Sequence, residues 1–117
     1  MMDYGLYMKQ LRKKKNVTLN MLSRKINVSV TFLSLLENGK KQIPLDYIEK
    51  ISIALNLNIQ ERKELENAVL VSNKRIIIEL DNLTNEQLEV SLLFGSKIED
   101  LTEYQVNNIK NIIKGEN

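Results

Sequence analysis

The sequence contains no cysteine, no histidine and no tryptophan, and only one proline among its 117 residues. Because cysteine is absent, disulfides, thiolate zinc sites and cysteine nucleophiles are excluded. The absence of histidine removes the commonest general base and the commonest metal ligand. The remaining polar residues form neither a carboxylate cluster nor a glycine-rich phosphate loop. We therefore expect no enzymatic activity, no cofactor and no metal.

Long apolar runs are also missing, as is an N-terminal apolar segment followed by a small-residue cleavage site. A helix that crosses a bilayer needs about 20 apolar residues. We therefore expect a cytoplasmic chain without membrane contact. Its length fits one small domain with an appendage.

The net charge of +2 conceals a strong asymmetry between the two parts of the chain. Residues 1–75 contain fourteen lysines and arginines against seven acidic residues, whereas residues 76–117 contain three against eight. A basic first part suits a polyanion, and an acidic second part would be repelled by one. The two parts are therefore expected to have different functions.

The first apolar stretch has helical rather than alternating spacing and predicts a helix from Asp3 to Lys15. Its tyrosines, Tyr4 and Tyr7, are expected in the core or at its rim, because the few aromatic residues do not alternate with arginine. The basic run that ends this helix, Arg12 to Lys15, fits both a solvated helix end and a phosphate clamp.

Two further helices follow in quick succession. Thr18 can cap the second helix, and Asn27 can close it in the left-handed conformation. Ser29 can then cap a third helix, which the sequence ENGK ends.

Two more helices complete the first part of the chain. The single proline, Pro44, is expected in the first turn of a fourth helix. A fifth helix is predicted from Gln60 to Val71, because apolar residues recur on one face.

The stretch VTLNMLSRKINVSVTFLSLLENGKK, with Pro44 and IEKISIALNL after it, resembles the Cro/CI-type (Xre-like) helix-turn-helix domain of phage repressors and bacterial regulators. The similarity covers about residues 4–71 and lies in the order and spacing of the helices. It implies an all-α fold, with a five-helix lambda-repressor-like DNA-binding domain at 1–71. Residues 72–117 lie outside the similarity and are expected to form an acidic helical extension. The third helix would be the recognition helix, and it is short because it only needs to fill a major groove.

Helical spacing divides the recognition helix into two faces. Leu33 and Leu36 are expected to pack on the scaffold. The expected base-facing residues are Val30, Thr31, Ser34 and Leu35. None of these can make the bidentate contacts to guanine or adenine that are each worth ~1–3 kcal/mol. Contacts with thymine methyls, hydroxyl contacts and readout of DNA shape remain.

The resemblance also implies residues that contact phosphate and one structural ion pair. Leu19 stands where relatives often have Gln, and Phe32 stands where they often have Tyr. Arg12 and Glu37 match an ion pair between the first and third helices. The residues expected at phosphates are Thr18, Leu19, Asn20, Ser29, Phe32, Asn38, Lys40 and Lys41.

The acidic second part repeats one pattern eighteen residues apart, LTNEQL at 83–88 and LTEYQV at 101–106. Each copy has Thr followed three residues later by Gln, as in a capping box, so two helices are predicted. The segment RIIIEL at 75–80 fits either a helix or a short strand. An apolar stripe on the last helix calls for a partner. We expect this stripe to mediate dimerisation, through Val106, Ile109, Ile112 and Ile113.

These features favour a repressor that binds double-stranded DNA as a homodimer, with two recognition helices ~34 Å apart on a pseudo-palindromic operator. Its release from DNA would then need a partner such as an antirepressor, a ligand or proteolysis. Two other functions remain open. The chain could be an antitoxin whose acidic tail binds a basic toxin protein while the first part represses the operon. It could also be a helix-turn-helix domain repurposed for protein binding.

Overall fold

The computed structural model describes residues 2–116, which form seven α-helices and no strand. The predicted all-α class is therefore confirmed. The chain divides into two compact units, one reaching Ile76 and one beginning at Ile77. The helices are α1 (Tyr4–Lys15), α2 (Leu19–Ile26), α3 (Val30–Glu37), α4 (Asp46–Ala54), α5 (Ile59–Asn73), α6 (Asn85–Lys97) and α7 (Glu103–Lys114).

Side-chain caps begin the second and third helices where the sequence predicts them. Thr18 Oγ1 accepts a hydrogen bond from the Met21 backbone N–H, and Ser29 Oγ accepts one from the Phe32 N–H, each at 3.1 Å. Asn27 ends α2 with φ 57° in the left-handed region, as predicted.

Two local predictions are wrong. Pro44 lies two residues before α4 rather than in its first turn, and its carbonyl accepts the Tyr47 N–H at 3.0 Å. Residues 75–80 form neither helix nor strand. The left-handed conformation of Lys74 (φ 56°) ends α5 before this segment. The described residues also contain no other strand with which it could pair, although triple isoleucine favours strands.

The core of the first unit lies between all five of its helices. Tyr4, Met8, Leu22, Leu33 and Leu65 are among the side chains that solvent hardly reaches. Tyr4 and Tyr7 are both buried, as the sequence predicts for core or rim residues. The tight packing of these apolar side chains fixes how α3 is held by its neighbours.

Gly5 allows α1 to approach the end of α3 closely. A Cβ atom at this position would overlap the carbonyl oxygen of Glu37, which is the last residue of α3. The atom that the methyl group would meet belongs to the backbone of α3, so no side-chain movement could make room for it. Glycine is therefore required here for the packing of α1 on α3 rather than for its backbone freedom.

A buried carboxylate joins the end of α1 to the start of α5. Glu61 accepts the Asn58 backbone N–H at 3.0 Å within a capping box. The ammonium groups of Lys14 and Lys15 lie 2.9 and 3.2 Å from its two oxygens. The Asn58 hydrogen bond, followed by the bonds from the two lysines, lowers the pKa of Glu61 from its usual 4.5 to about 2.

The last turn of α5 is tied to the rest of the first unit. Asn73 is buried and pairs with both backbone groups of Ile43, at 2.9 Å each. Ser72 Oγ accepts the Tyr4 N–H at 2.8 Å. Both residues lie beyond Val71, where the sequence-based domain boundary falls, and their hydrogen bonds belong to the first unit.

The second unit contains α6, a 3-10 turn at Ile98–Asp100, and α7. Both capping boxes predicted from the repeated pattern are present, with Thr84 and Gln87 on α6 and Thr102 and Gln105 on α7. None of the residues in α6, the 3-10 turn or α7 is buried. Among residues 2–116, no helix combines the length and apolar character that crossing a bilayer requires.

The depressed pKa of Glu61 predicts a stability contribution that depends on pH. Because the folded pKa lies below the usual value, the contribution is full above pH 4.5 and is lost as pH falls towards about 2. We expect Glu61→Gln to lower the melting temperature most above pH 4.5 and progressively less below it. The measurement is thermal unfolding of both proteins between pH 7 and pH 2.

Glu66→Gln provides the control, because Glu66 is an exposed carboxylate of the same helix. Its melting temperature should follow that of the unmodified protein at every pH. If the loss of melting temperature in Glu61→Gln did not change with pH, the charge of the carboxylate would not contribute to stability.

Candidate nucleic-acid interface

A three-residue connection, residues 27–29, joins α2 to α3. The left-handed Asn27 reverses the chain, and the Val28 backbone N–H donates to the Ser23 carbonyl at 3.1 Å. The Ser23 hydroxyl donates in turn to the Val28 carbonyl. Both backbone groups of Val28 are therefore bonded to one residue of α2, which fixes the angle at which α3 leaves the turn.

Helix α3, which the sequence resemblance implies to be the recognition helix, has one face in the core and the other in solvent. Leu33 and Leu36 are 1% exposed and pack on the scaffold. Val30 and Thr31 are exposed at the N-terminal end, and Ser34 and Leu35 are half-buried one turn later. The side chains of its solvent face are small or apolar and carry no charge, and the Ser34 hydroxyl accepts a hydrogen bond from the Asn38 side-chain amide at 3.2 Å.

A bidentate ion pair links α3 to α1. Arg12 Nε and Nη2 donate to the two carboxylate oxygens of Glu37 at 3.1 and 2.9 Å. The two side chains are 16% and 4% exposed. A pair so well shielded holds the end of α3 in register with α1 and leaves Arg12 unavailable to a phosphate.

The residues expected at phosphates fall into two groups. Thr18, Asn20, Ser29, Asn38, Lys40 and Lys41 are exposed at the ends of α2 and α3. The side chains of Leu19 and Phe32 are half-buried against the core, and the Phe32 ring meets the Tyr47 ring edge to face at 6.0 Å. Packing against the core therefore occupies part of each of these two side chains.

Most of the basic residues at the end of α1 form ion pairs within the first unit. Arg12 is paired with Glu37, and Lys14 and Lys15 are paired with Glu61. Lys13 is exposed and makes no ion pair among the described residues. The run is therefore chiefly structural, because three of its four cations are already paired with carboxylates and are less available to bind phosphate.

The turn that follows α3 presents two lysines in a fixed position. Gly39 has φ 71°, and its N–H donates to the Leu36 carbonyl at 3.2 Å. The Lys40 N–H donates to the Leu35 carbonyl at 2.9 Å, which completes a Schellman closure of the helix. Lys40 and Lys41 are both exposed immediately after it.

The residues whose hydrogen bonds hold the segments of this surface in place were not identified from the sequence. Ser23 bonds to the turn between α2 and α3, and Asn73 bonds to the chain after α3. Glu61 accepts hydrogen bonds from the ammonium groups of two lysines. A buried polar residue on the apolar face of a helix would have been the only signal for Asn73. Within residues 2–116, no group of acidic side chains is arranged to hold a metal ion.

Comparison with known families agrees with this geometry. The helix-turn-helix family model matches residues 8–62, which span most of α1, the whole of α2 to α4 and the start of α5. No curated protein and no solved structure is significantly similar to the chain. The match indicates a DNA-binding helix-turn-helix domain, and it ends well before α6.

The buried ion pair predicts a large effect when one partner is removed. Glu37→Ala leaves the Arg12 guanidinium shielded from solvent without a counter-charge, and we expect the free energy of unfolding to fall by about 3–5 kcal/mol. Chemical denaturation of the purified variant measures this loss. DNA binding should disappear together with the fold.

A double variant separates the lost charge pair from lost packing. Replacing both Arg12 and Glu37 by Met removes both charges and keeps apolar volume, so this protein should be markedly more stable than Glu37→Ala. An unchanged denaturation midpoint for Glu37→Ala would contradict the structural role of the pair.

Proposed function

We propose that the chain, whose residues 8–62 match the helix-turn-helix family model, is a repressor that occupies a promoter as a homodimer. The observation that carries this proposal is the recognition helix itself. Its scaffold face is locked by Leu33, Leu36 and the Arg12–Glu37 pair, and its other face exposes Val30 and Thr31 to solvent.

The exposed residues of α3 suit a particular kind of readout. Val30 and Leu35 can contact thymine methyls, and the hydroxyls of Thr31 and Ser34 can bond to base edges. Since no Arg, Asn or Gln lies among them, strong discrimination of guanine or adenine is not available from this face. Affinity must then come mainly from phosphate contacts, and specificity mainly from thymine position and DNA shape.

Phosphate contacts are available on both sides of the recognition helix. The N-terminus of α2 points backbone N–H groups outward beside Thr18 and Asn20, which favours an anion. At the other end, Lys40 and Lys41 follow the closed C-terminus of α3. Both sets could bind the sugar-phosphate backbone while α3 lies in the major groove.

Selection from a random pool of duplexes tests the proposed function. We expect the purified protein to enrich a pseudo-palindromic sequence whose half-sites are rich in A·T pairs and lie ~34 Å, or one DNA turn, apart. A variant with Thr31→Ala and Ser34→Ala should enrich a less defined sequence. Failure of the unmodified protein to enrich any sequence would contradict sequence-specific binding.

The lysines after α3 supply a quantitative prediction about salt. Replacing Lys40 and Lys41 by Ala should weaken binding to every duplex alike and flatten the log–log dependence of affinity on salt by up to about two units. The measurement is fluorescence anisotropy with selected and unrelated duplexes over a range of salt concentrations. Arg62→Gln/Lys63→Gln is the control, because it removes two exposed cations of α5. If the salt dependence of affinity had the same slope for this variant as for the control, Lys40 and Lys41 would not contact DNA.

Dimerisation through the second unit is supported by its lack of a core. Helices α6 and α7 border an open groove of about 520 Å³ that includes Leu93, Phe94, Ile109, Ile112 and Ile113. Each of these side chains is at least partly exposed. A unit that buries none of its helical residues has little to stabilise it alone, and two such helix pairs can bury their grooves in a four-helix bundle.

One substitution in α7 tests this dimer. Ile112→Asp places a charge in the apolar groove, and we expect it to give monomers with ~10²–10⁴-fold weaker binding to a palindromic site, because the second half-site is no longer linked. Asn111→Asp adds the same charge to the neighbouring position outside the groove and should remain dimeric. Analytical ultracentrifugation and DNA titration measure the two effects.

A chain ending at Ile76 should behave like the Ile112→Asp variant, because it keeps the Ser72 and Asn73 contacts of the first unit. If this shortened chain still dimerised, the interface would lie in the first unit. A full-length monomer at micromolar concentration would refute the dimer altogether.

A second candidate function is favoured by the same exposed groove. The second unit carries a large acidic excess, which suits a basic protein partner such as a toxin. In that function the first unit would still bind DNA while the second binds the partner. A toxin-sized reading frame beside the gene, whose product forms a stable complex with the full-length chain, would favour this alternative over the homodimer.

A further inference from the structure

We propose that Lys74 and Arg75, at the end of α5, form a second phosphate-contacting pair beside Lys40 and Lys41. Neither the family match nor the recognition-helix pattern includes them, since the match ends at residue 62. The inference rests on the proposed function, because the anion that these residues contact is the DNA backbone.

The first support is a rigid connection between the two pairs. Asn73, the residue before Lys74, donates to the Ile43 carbonyl and accepts the Ile43 N–H, both at 2.9 Å. The Arg75 guanidinium donates to the Gln42 side-chain oxygen at 2.9 Å. Asn73 and Arg75, which flank Lys74, are therefore bonded directly to residues 42 and 43, which immediately follow the two lysines of the turn.

The second support is the arrangement of charge. Lys40, Lys41 and Lys74 line one cleft, and Lys9 and Lys74 line the neighbouring cleft on the other side of Gly39. Two carboxylates, Asp3 and Glu37, also line that second cleft. Glu37 is neutralised by Arg12, and Asp3 caps α1 by accepting the Leu6 N–H at 2.8 Å. Four cations thus line the two clefts at the end of the recognition helix, with one uncompensated carboxylate among them.

The third support is the backbone conformation of Lys74. It has φ 56° and occupies the left-handed position of a Schellman closure, where its N–H bonds the Val71 carbonyl and the Arg75 N–H bonds the Leu70 carbonyl. Glycine is the residue that suits this position, and a lysine there carries a steric cost. The lysine thus places its charge at this position at a steric cost that a glycine would avoid.

The position relative to DNA follows from the recognition helix. The N-terminal end of α3 enters the groove, so its C-terminal end and the turn at 39–42 meet the sugar-phosphate backbone at the groove edge. Residues 74 and 75 adjoin that turn. They would contact the same strand one or two phosphates away, and the chain would leave the first unit next to the DNA.

The left-handed conformation also makes a clean experiment possible. Lys74→Gly removes the charge and suits the backbone, so the variant Lys74→Gly/Arg75→Gln should fold as well as the unmodified protein. Arg62→Gln/Lys63→Gln removes the same charge from α5, with Arg62 ~18 Å from Lys74 along the helix axis. Comparing the two variants separates a local contact from the general loss of positive charge.

Fluorescence anisotropy with a selected and an unrelated duplex, over a range of salt concentrations, measures the effect on the full-length proteins. We expect Lys74→Gly/Arg75→Gln to bind both duplexes more weakly and to flatten the log–log salt slope by up to about two units, with little change for the control. Thermal unfolding of each variant verifies that the fold is kept.

The remaining outcomes overturn specific statements. If Lys40→Ala/Lys41→Ala flattens the slope and Lys74→Gly/Arg75→Gln matches the control, the second pair is not at the DNA and the proposed function stands. If neither pair differs from the control, the end of α3 does not meet phosphate, and both the inference and the proposed orientation on DNA fail.

Discussion

The packing of α1 against α3 is the interaction on which the DNA-binding surface depends. An isolated helix of eight residues is not stable in water, so α3 exists only because other elements hold it. Gly5 lets the two helices approach, and the buried Arg12–Glu37 pair sets their register. The solvent face of α3 is consequently presented as a rigid surface, and binding to a groove does not first have to order it.

The basic side chains of the first unit fall into two groups, those that form internal ion pairs and those that are exposed to solvent. The carboxylates of Glu37 and Glu61 bind Arg12, Lys14 and Lys15, while the ammonium groups of Lys40, Lys41 and Lys74 are exposed and make no ion pair among the described residues. Charge that is paired internally fixes helices, and charge that is exposed beside a groove can release counterions from DNA. The division explains how one basic unit provides both stability and a polyanion-binding face.

The sequence predicts much of this fold because its signals are local. Caps at Thr18, Ser29, Thr84 and Thr102 and the left-handed Asn27 can each be recognised within four residues. The failures come from longer-range physics. The isoleucines at 76–78 favour a strand that has no partner strand within the described residues, and the hydrogen bonds of Asn73 to Ile43 join positions thirty residues apart. The packing of Leu19 and Phe32 against the core is likewise not indicated by any neighbouring residue in the sequence.

The central claim is that α3 and the turn after it meet DNA, and NMR titration tests it most directly. Isotope-labelled protein would be titrated with a duplex selected from a random pool while backbone amide shifts are followed. The account predicts the largest changes at Val30, Thr31 and Ser34 and at residues 39–42, with small changes in α6 and α7. Shifts confined to α6 and α7, with α3 unaffected, would contradict it.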